Sequence, residues 1–539
     1  MRLIAKSLFR EGLGEGRGKV AQTAVFDQAI YVSKSDFTNF QNCAGFAWLA
    51  KHRRHLIPRE TDPGTIRRIA SGNEVEMLAR ELFHGGVHID TWDMVEAVAL
   101  TNAAIADGVT TLFQATVRTA RGLLARADIL TRHGDSWVLF EVKSTTSIKK
   151  EHVADAAFQT IAFTEAGFDI AETRLIHLNK DYRRAGELTP PTLLAAHNIG
   201  AKMQKIRLRT EQDITLALET LQNPDREAVC LCDMGTRNQR CPAFAHFHPN
   251  IPSGATIYDL GGISGKVLGE ALARGIVNLV DWPAEIRVTA RQQRQIDVLR
   301  SGEALIDRAQ LQHFLDRLDY PLYFLDYETF QTAIPMFDGC GPWAQAPFQY
   351  SIQIVDADGG SREQEFLWTE RRANPIPALV ERLRRDVGPS GSVLVWNQGF
   401  EESRNREMAA MIPEAAEFLL EVNARMVDLM DVVRTGAWVD AAFNGSASIK
   451  KVLPVVDPEL AYEHLEIGDG STASERWFEA MIGDAAAMTD PERDAIFDHL
   501  RVYCRHDTLA MVRIWEHLHR LIGSPLPASY ASMRQPGPR

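Results

Sequence analysis

Twice in this chain, charged residues take alternate positions at the end of an apolar run, and each time further carboxylates stand at a distance. The first occurrence is Glu141-Val142-Lys143, preceded by Asp128. The second is Asp326-Tyr327-Glu328, followed by Asn397 to Glu401 and by Tyr503 to Asp507. In a strand alternate side chains share one face, so Glu141 lies beside Lys143, and Asp326 beside Glu328. Two like charges on a half-buried face repel strongly, and a bound cation resolves the conflict. Each set is spaced to hold a divalent cation, and two such sites need two sheets, each with its own core. At 539 residues the chain is too long for one core in any case.

A composition of 45% hydrophobic and 24% charged residues fits a soluble globular protein. No segment reaches the roughly 18 apolar residues of a membrane span. The start, Met1-Arg2-Leu3-Ile4-Ala5-Lys6, soon turns Gly- and Arg-rich and lacks the features of a secretory signal, so the expected location is cytoplasmic. A net charge of -12 argues against nucleic acid coating the whole surface. Local basic clusters remain: Lys51-His52-Arg53-Arg54-His55, Arg67-Arg68, Lys149-Lys150, and Lys202, Lys205, Arg207 and Arg209. They either line a groove leading to the first acidic site or are solvated helix faces.

The expected organisation is an α/β chain: an N-terminal extension (1–30), a first α/β domain (31–250), a small helical connector (251–318), a second α/β domain with a mixed sheet (319–523) and a flexible tail (524–539). In the first domain, Ile66, Ile69, Val75, Leu78, Ala79 and Leu82 recur near helical spacing over 65–83. Two apolar strands, 123–130 and 137–142, flank a turn at His133-Gly134-Asp135, and 152–166 returns to helical periodicity. The connector's Asp259-Leu260-Gly261-Gly262-Ile263-Ser264-Gly265-Lys266 is read either as a weak helix-hairpin-helix, whose backbone amides hold a phosphate, or as a Gly-rich turn between packed helices.

At the first acidic site a hairpin brings Asp128 beside Glu141, giving two hard oxygen ligands for Mg²⁺ or Mn²⁺, with Lys143 placed to orient water or stabilise a transition state. The bland alternative is an exposed strand ion pair. Ala127-Asp128-Ile129-Leu130 and Phe140-Glu141-Val142-Lys143-Ser144 resemble the PD-(D/E)XK restriction-endonuclease-like core, in its RecB-like exonuclease branch. Asp155-Ala156-Ala157-Phe158-Gln159 resembles that branch's following helix, whose Gln supports the site. Phe163 stands where a Tyr often follows. The resemblance also implies an upstream acidic ligand, for which Glu76 is the candidate, or else a solvent-facing helical glutamate.

Six cysteines are present. Cys43 lies early in the first domain and Cys230, Cys232 and Cys241 late. RecB-like exonucleases of the CRISPR-associated and repair types look similar: one early and three late cysteines hold a [4Fe-4S] cluster that joins the domain's ends. In Cys241-Pro242-Ala243-Phe244-Ala245-His246-Phe247, Phe247 occupies the place of the usual last Cys, so Cys230, His246 or His248 would have to substitute. Thiolates also suit zinc, and buried idle thiols are the third reading.

At the second site, Tyr323 to Thr329 is an apolar strand, Val393 to Trp396 a second one leading into a helix with Glu401, and Tyr503 and Asp507 fall four residues apart on one helical face. These pieces, in order, resemble the DEDD exonucleases of RNase H-like fold in their tyrosine-containing, DnaQ-like version. That resemblance implies that Asp326, Glu328, Glu401 and Asp507 hold divalent metals and that Tyr503 positions the attacking water. Glu401 stands where an Asp is usual, and Asp428 is the runner-up, unless it caps or pairs locally. Residues 32–521 together resemble a largely uncharacterised bacterial family joining a RecB-like nuclease to a DnaQ-like domain. The expectation is a two-site, metal-dependent nuclease acting on DNA, 3′ to 5′ at the second site, in repair or defence. The alternatives are a nucleic-acid-binding or assembly protein with degenerate sites, and an RNA-processing exonuclease. No protein partner is legible.

Overall fold

Three stretches of chain, residues 30–230, 241–484 and 487–527, are described in the computed structural model. Cys232, most of the N-terminal extension and most of the tail lie outside the described residues. The protein is a mixed α/β chain built around separate sheets. The first sheet has seven strands: β1 (Val32–Ser33), β2 (Val87–His88), β3 (Thr111–Arg118), β4 (Leu123–His133), β5 (Ser136–Lys143), β6 (Ile170–Leu178) and β7 (Leu194–Asn198). Their order is β2-β3-β4-β5-β6-β7, with β1 pairing parallel to β4. The β3-β4-β5 meander is antiparallel and β6 runs parallel to β5. A crossover is needed to reach β6, and the helix Lys150–Glu165 provides it.

The β4-β5 turn falls at Gly134-Asp135, where Gly134 takes φ +60, within the expected hairpin. Asp128 sits in the middle of β4 rather than at its end, because the strand continues to His133. The predicted 65–83 helix runs Pro63–Arg80, with the Asp62 carboxylate capping Thr65 N at 2.7 Å. Only part of its apolar stripe is buried. Val75 and Ala79 are fully covered, while Ile66 and Ile69 are 52% and 63% exposed. Phe163 is wholly buried in the core under this sheet, so it packs and is not a surface contact.

In the connector, the helices Gly265–Ala273 and Ala290–Ser301 pack around Ile257, Leu268 and Ile296. The Gly261 N–H donates to Gln295 Oε1 at 3.0 Å, and Gln292 Nε2 donates to Gly261 O at 3.0 Å. This glycine turn is therefore tied to a neighbouring helix, which corrects the phosphate-holding reading at Gly261. The short β8 (Leu305–Ile306) closes the connector.

The second sheet has five strands: β9 (Leu322–Phe330), β10 (Ala346–Val355), β11 (Ser361–Leu367), β12 (Val393–Val395) and β13 (Met426–Asp428), in the order β11-β10-β9-β12-β13. The first three are antiparallel; β12 and β13 run parallel to β9. β14 (Trp438–Val439) pairs with β8 and stitches the connector to this half. The long helix Asp490–Ile522 lies on β9 and β10, fixed by Gln349 Nε2 to Leu500 O (2.9 Å) and by Ser351 Oγ to Thr508 Oγ1 (2.9 Å).

The two halves touch through the segment between β9 and β10. Ala333 is buried, and Ile334 and Trp343 pack beside it, in the apolar cluster of the first half that also holds Phe140, Val142 and Ile176. Trp343 Nε1 donates to Ser144 O at 2.5 Å, one residue beyond Lys143. Arg184 Nη1 bonds Pro335 O at 2.9 Å, and Ser471 Oγ bonds Asp62 Oδ1 at 2.8 Å.

Candidate active sites

The first site lies where β4 and β5 face the N-terminal helix Lys34–Asn42 and the helix Lys150–Glu165. Ile129 pairs with Phe140 across β4 and β5, which places Asp128 and Glu141 side by side. Glu141 is fully buried, yet both of its oxygens are engaged. Oε1 takes Lys34 Nζ at 2.7 Å and Lys143 Nζ at 2.9 Å, and Oε2 accepts from Gln159 Nε2. Lys143 also reaches Asp155 Oδ2 at 2.7 Å, while Thr38 Oγ1 donates to Asp155 Oδ1 at 2.7 Å. Burial opposes ionisation of Glu141, but the Lys34 and Lys143 charges outweigh it and bring its pKa down to about 2. Both lysines are in turn held above their ordinary value: burial lowers them, and Glu141 together with Asp128 at Lys34, or with Asp155 at Lys143, more than compensates.

Asp128 behaves oppositely. Burial, then the neighbouring Glu141 charge, pushes it up to about 7, although it accepts the Val142 N–H at 2.7 Å. Gln114 links it to Glu76, its Nε2 lying 2.5 Å from Glu76 Oε1 and 3.5 Å from Asp128 Oδ1. Gln114 does this from a left-handed backbone, φ 61, an unusual conformation for a residue with a side chain and one that concentrates at functional sites. Glu76 is also paired with Arg80 at 2.6 Å.

The structure thus brings together Glu76, Asp128, Glu141, Lys143 and Gln159, and adds Lys34, Gln114 and Asp155. The last stood in the quoted helix motif without a role. Lys34 has no local signal, since it is 107 positions from Glu141. Lys149, Lys150, Lys202, Lys205 and Arg209 share one cleft with Gln41 and Asp213, and no side chain of the acidic site lines it. The Lys51 to His55 cluster does not join it: Lys51 pairs with Asp36 at 2.7 Å, Arg53 lies over Trp48, and Arg54 bonds Ile57 O at 3.0 Å. Arg67 and Arg68 line a cleft at the second site instead, a correction to the expected groove.

Cys43 and Cys230 lie in one apolar cluster with Cys241 packed against it; Cys232 is outside the described residues. The segments meet tightly. Gly45 N donates to Val229 O at 3.0 Å, and a Cβ on Gly45 would stand 2.9 Å from Cys230 N. Cys43 Sγ accepts the Phe46 N–H at 3.4 Å at the start of the helix Ala44–His52. His246 is paired with Glu227 at 2.6 Å and Phe247 packs into the neighbouring core.

The second site forms where β9 outruns β12. Asp326 and Glu328 share a face of β9, and the Asn397 backbone, at φ 86, turns the chain from β12 into the helix Gln398–Met411, which carries Glu401. The turn is held from below: Asp428 Oδ1 accepts from Asn397 N and Met430 N, each at 3.1 Å, and Arg434 lies 3.6 Å from Oδ2. Asp428 therefore pairs locally. The helix is further tied to β9 through Tyr327 Oη to Asn405 Oδ1 at 2.9 Å. Tyr503 and Asp507, both buried, come from the long helix, and Tyr462 donates to Asp507 Oδ1. Cys504, between them in sequence, is wholly buried, and its Sγ lies 3.9 Å from Asp326 Oδ2.

Among the described residues no cation makes an ion pair with this cluster as Lys34 and Lys143 do with Glu141 at the first site. Ligand atoms of Asp326, Glu328 and Cys504 lie within 4.8 Å of one another. Burial, then Asp507, holds both Asp326 and Glu328 well above the usual carboxylate range. Burial pushes Glu401 up to about 8 and Asp507 to about 6, the latter moderated by Tyr462, Lys450 and Tyr503. Glu401 Oε2 is buried without a hydrogen-bond partner. Lys450 faces the site across Tyr462 and Tyr503, 5.4 and 5.8 Å from their ring centres, its Nζ bonded to Gly468 O at 2.7 Å. A cluster of hard oxygen donors, one of them orphaned, fits a divalent ion of the Mg²⁺ or Mn²⁺ type.

Comparison with known proteins covers part of this geometry. The model of a domain of unknown function (DUF2779) matches residues 323–448, which include Asp326, Glu328 and Glu401 but neither Tyr503 nor Asp507. The chain is 27% identical over 298 residues to "Uncharacterized protein UU173" of Ureaplasma parvum serovar 3, covering 49% of this chain and 41% of that protein. It is 26% identical over 213 residues to "Uncharacterized protein MG366 homolog" of Mycoplasma pneumoniae, covering 35% and 31%. The chain thus spans less than half the length of these relatives. A solved structure titled "Crystal structure of SSO0001" aligns with 31% of this chain and 82% of its own, at 14% identity and a TM-score of 0.13, too loose a superposition to carry an argument. No described helix is long and apolar enough to cross a membrane.

Proposed function

We propose that this chain is a divalent-metal-dependent nuclease with two active sites, hydrolysing phosphodiester bonds of DNA, and removing nucleotides 3′ to 5′ at the second. The single observation that carries the reading is that Asp326, Glu328 and Asp507 line one cleft, with the Glu401 charge acting on Asp326 and Glu328 from close by and its Oε2 buried and unpartnered. Burying that many carboxylates together is unfavourable unless a cation resides among them. These four residues would hold the metal, which when bound supplies Lewis acidity toward a phosphate and an acidified water. Tyr503 places its hydroxyl beside Asp507 to orient a nucleophile, and Lys450 offsets part of the negative charge.

At the first site, Asp128, Glu141 and Glu76 would take the metal, Lys143 would contact the reacting phosphate, and Gln159 holds Glu141 in place. The basic cleft at Lys149, Lys150, Lys202, Lys205 and Arg209 suits a phosphate backbone approaching it. Cys43, Cys230, Cys232 and Cys241 would hold a [4Fe-4S] cluster that joins the ends of this domain. In fold the two halves are read as PD-(D/E)XK-like and RNase H-like, the reading for a RecB-like and DnaQ-like fusion acting in repair or defence.

A second reading is favoured by one observation, the Lys34 ammonium resting on Glu141 Oε1. With that lysine in place the first site is a nucleic-acid-binding surface and hydrolysis belongs to the second site alone. The test is degradation of 5′-labelled single-stranded DNA and RNA with Mn²⁺, comparing wild type with Asp326→Ala, Lys143→Ala and the double variant. Distinct product patterns lost in each single variant are expected. Activity that survives Asp326→Ala unchanged removes the second site from the reading; activity indifferent to Lys143→Ala leaves the binding-surface reading of the first.

A further inference from the structure

The cleft over Asp326 and Glu328, about 380 Å³, is not built by one half alone. Its opposite wall is the helix Pro63–Arg80 of the first half, which contributes Gly64, Arg67 and Arg68. The same helix carries Glu76 at the first site. Its start is pinned to the second half by Ser471 Oγ on Asp62 Oδ1, beside Gly470, whose Cα would direct a Cβ to 3.8 Å from Glu328 Oε2. Arg67 lies over the Phe478 ring at 4.1 Å and pairs with Glu74 at 3.1 Å, so its guanidinium is fixed as a wall. Burial holds Glu475, also in the cleft, above its ordinary value, and the Arg67 charge offsets only part of that. Arg68 is exposed at the rim, and its side-chain bond is to Thr65 Oγ1 at 2.6 Å. Phe400, Phe478 and Trp343, all partly exposed, line the same space, with Arg404 lying over the Phe400 ring at 4.8 Å.

An acidic floor repels a polyanion, so a site that admits one needs cations placed at its mouth, and aromatic faces serve unpaired bases. We infer that Arg68, with Arg67 behind it, is the phosphate-binding wall of the second site, lent by the first half, and that the cleft takes the end of a single DNA strand against Phe400, Phe478 and Trp343. This rests on the nuclease reading above for the chemistry, and on the cleft's own residues for the binding.

Two measurements on the full-length chain test it. In an Asp326→Asn, Lys143→Ala background, where substrate stays whole, anisotropy of a labelled single-stranded oligonucleotide over a salt series should show roughly five- to tenfold weaker binding for Arg68→Ala and a salt slope reduced by about 1, with Arg68→Lys keeping the slope. In the otherwise native chain, Arg68→Ala should raise KM for Mn²⁺-dependent hydrolysis at the second site and leave kcat within about twofold. Unchanged binding and slope for Arg68→Ala, or a parent that does not bind, overturns the inference. Arg68-dependent binding without any Mn²⁺-dependent hydrolysis leaves the wall standing and removes the nuclease reading; hydrolysis indifferent to Arg68 does the reverse.

Discussion

The two acidic sites solve the same electrostatic problem in opposite ways. At the first, Lys34 and Lys143 lie against Glu141 and Lys143 against Asp155, so the buried carboxylate is ionised and paired within the protein. At the second, Asp326, Glu328, Glu401 and Asp507 face one another with Lys450 offset behind two tyrosines, and proton uptake is the relief the chain itself provides. A pattern of acidic residues alone therefore does not say how much a site depends on a metal; the cations brought from elsewhere in the chain decide it.

The comparison breaks most sharply on neutralising substitutions in metal-free protein. Glu141→Gln leaves two lysines without their buried partner and should cost about 3–5 kcal/mol. Asp326→Asn removes a repelling charge and should stabilise by about 1 kcal/mol, roughly 2–4 °C in Tm. Thermal melts in EDTA measure both, and two shifts of the same sign would dissolve the contrast.

A smaller effect follows from pH. The second site's carboxylates have folded pKa values raised above their unfolded ones, with Asp507 at about 6 and Glu401 at about 8. The native state then keeps protons that the unfolded chain has shed, so stability is greatest at low pH and falls as pH rises from about 4 to 8. Glu141 has the opposite sign: its folded value of about 2 gives stability that is present above about 4.5 and lost as pH falls through 2. Asp128, raised to about 7, shares the second site's sign, so urea midpoints of metal-free protein at about pH 5.5 and about pH 8 should fall with pH in the wild type and less steeply in Asp326→Asn, and saturating Mn²⁺ should remove the difference, since the ion competes with the protons. A wild-type midpoint that rises instead would place the uncompensated charge elsewhere.

The smallest expected change is at Gln114. Replacing it by Gly relieves a left-handed backbone worth about 1–3 kcal/mol but deletes the bridge between Glu76 and Asp128. A net stability change within about 1 kcal/mol is expected, together with weaker Mn²⁺ binding at the first site by calorimetry. A gain in stability with unaltered Mn²⁺ binding would make the bridge incidental.

What could be read from the sequence was what period and spacing encode. Asp326 with Glu328, Glu141 with Lys143, and Tyr503 with Asp507 follow from strand and helix periods, and the structure keeps each pair on one face. What escaped was brought in by topology. Lys34 reaches Glu141 because β1 pairs with β4, and Tyr462 reaches Asp507 across 45 residues. Ile66 and Ile69 fit the helical stripe, yet the Pro63–Arg80 helix is covered along only part of that face. Arg67 and Arg68 stand nearer in sequence to the first acidic set, whereas their helix spans the space between both sites.

The packing of Ala333, Ile334 and Trp343 into the first half's apolar cluster means that the chain cannot be divided at its connector without baring two matching hydrophobic faces. Fragments cut between residues 250 and 320 would each carry one of these faces into water, and the peptide link between the halves, by setting their local concentration, keeps both covered.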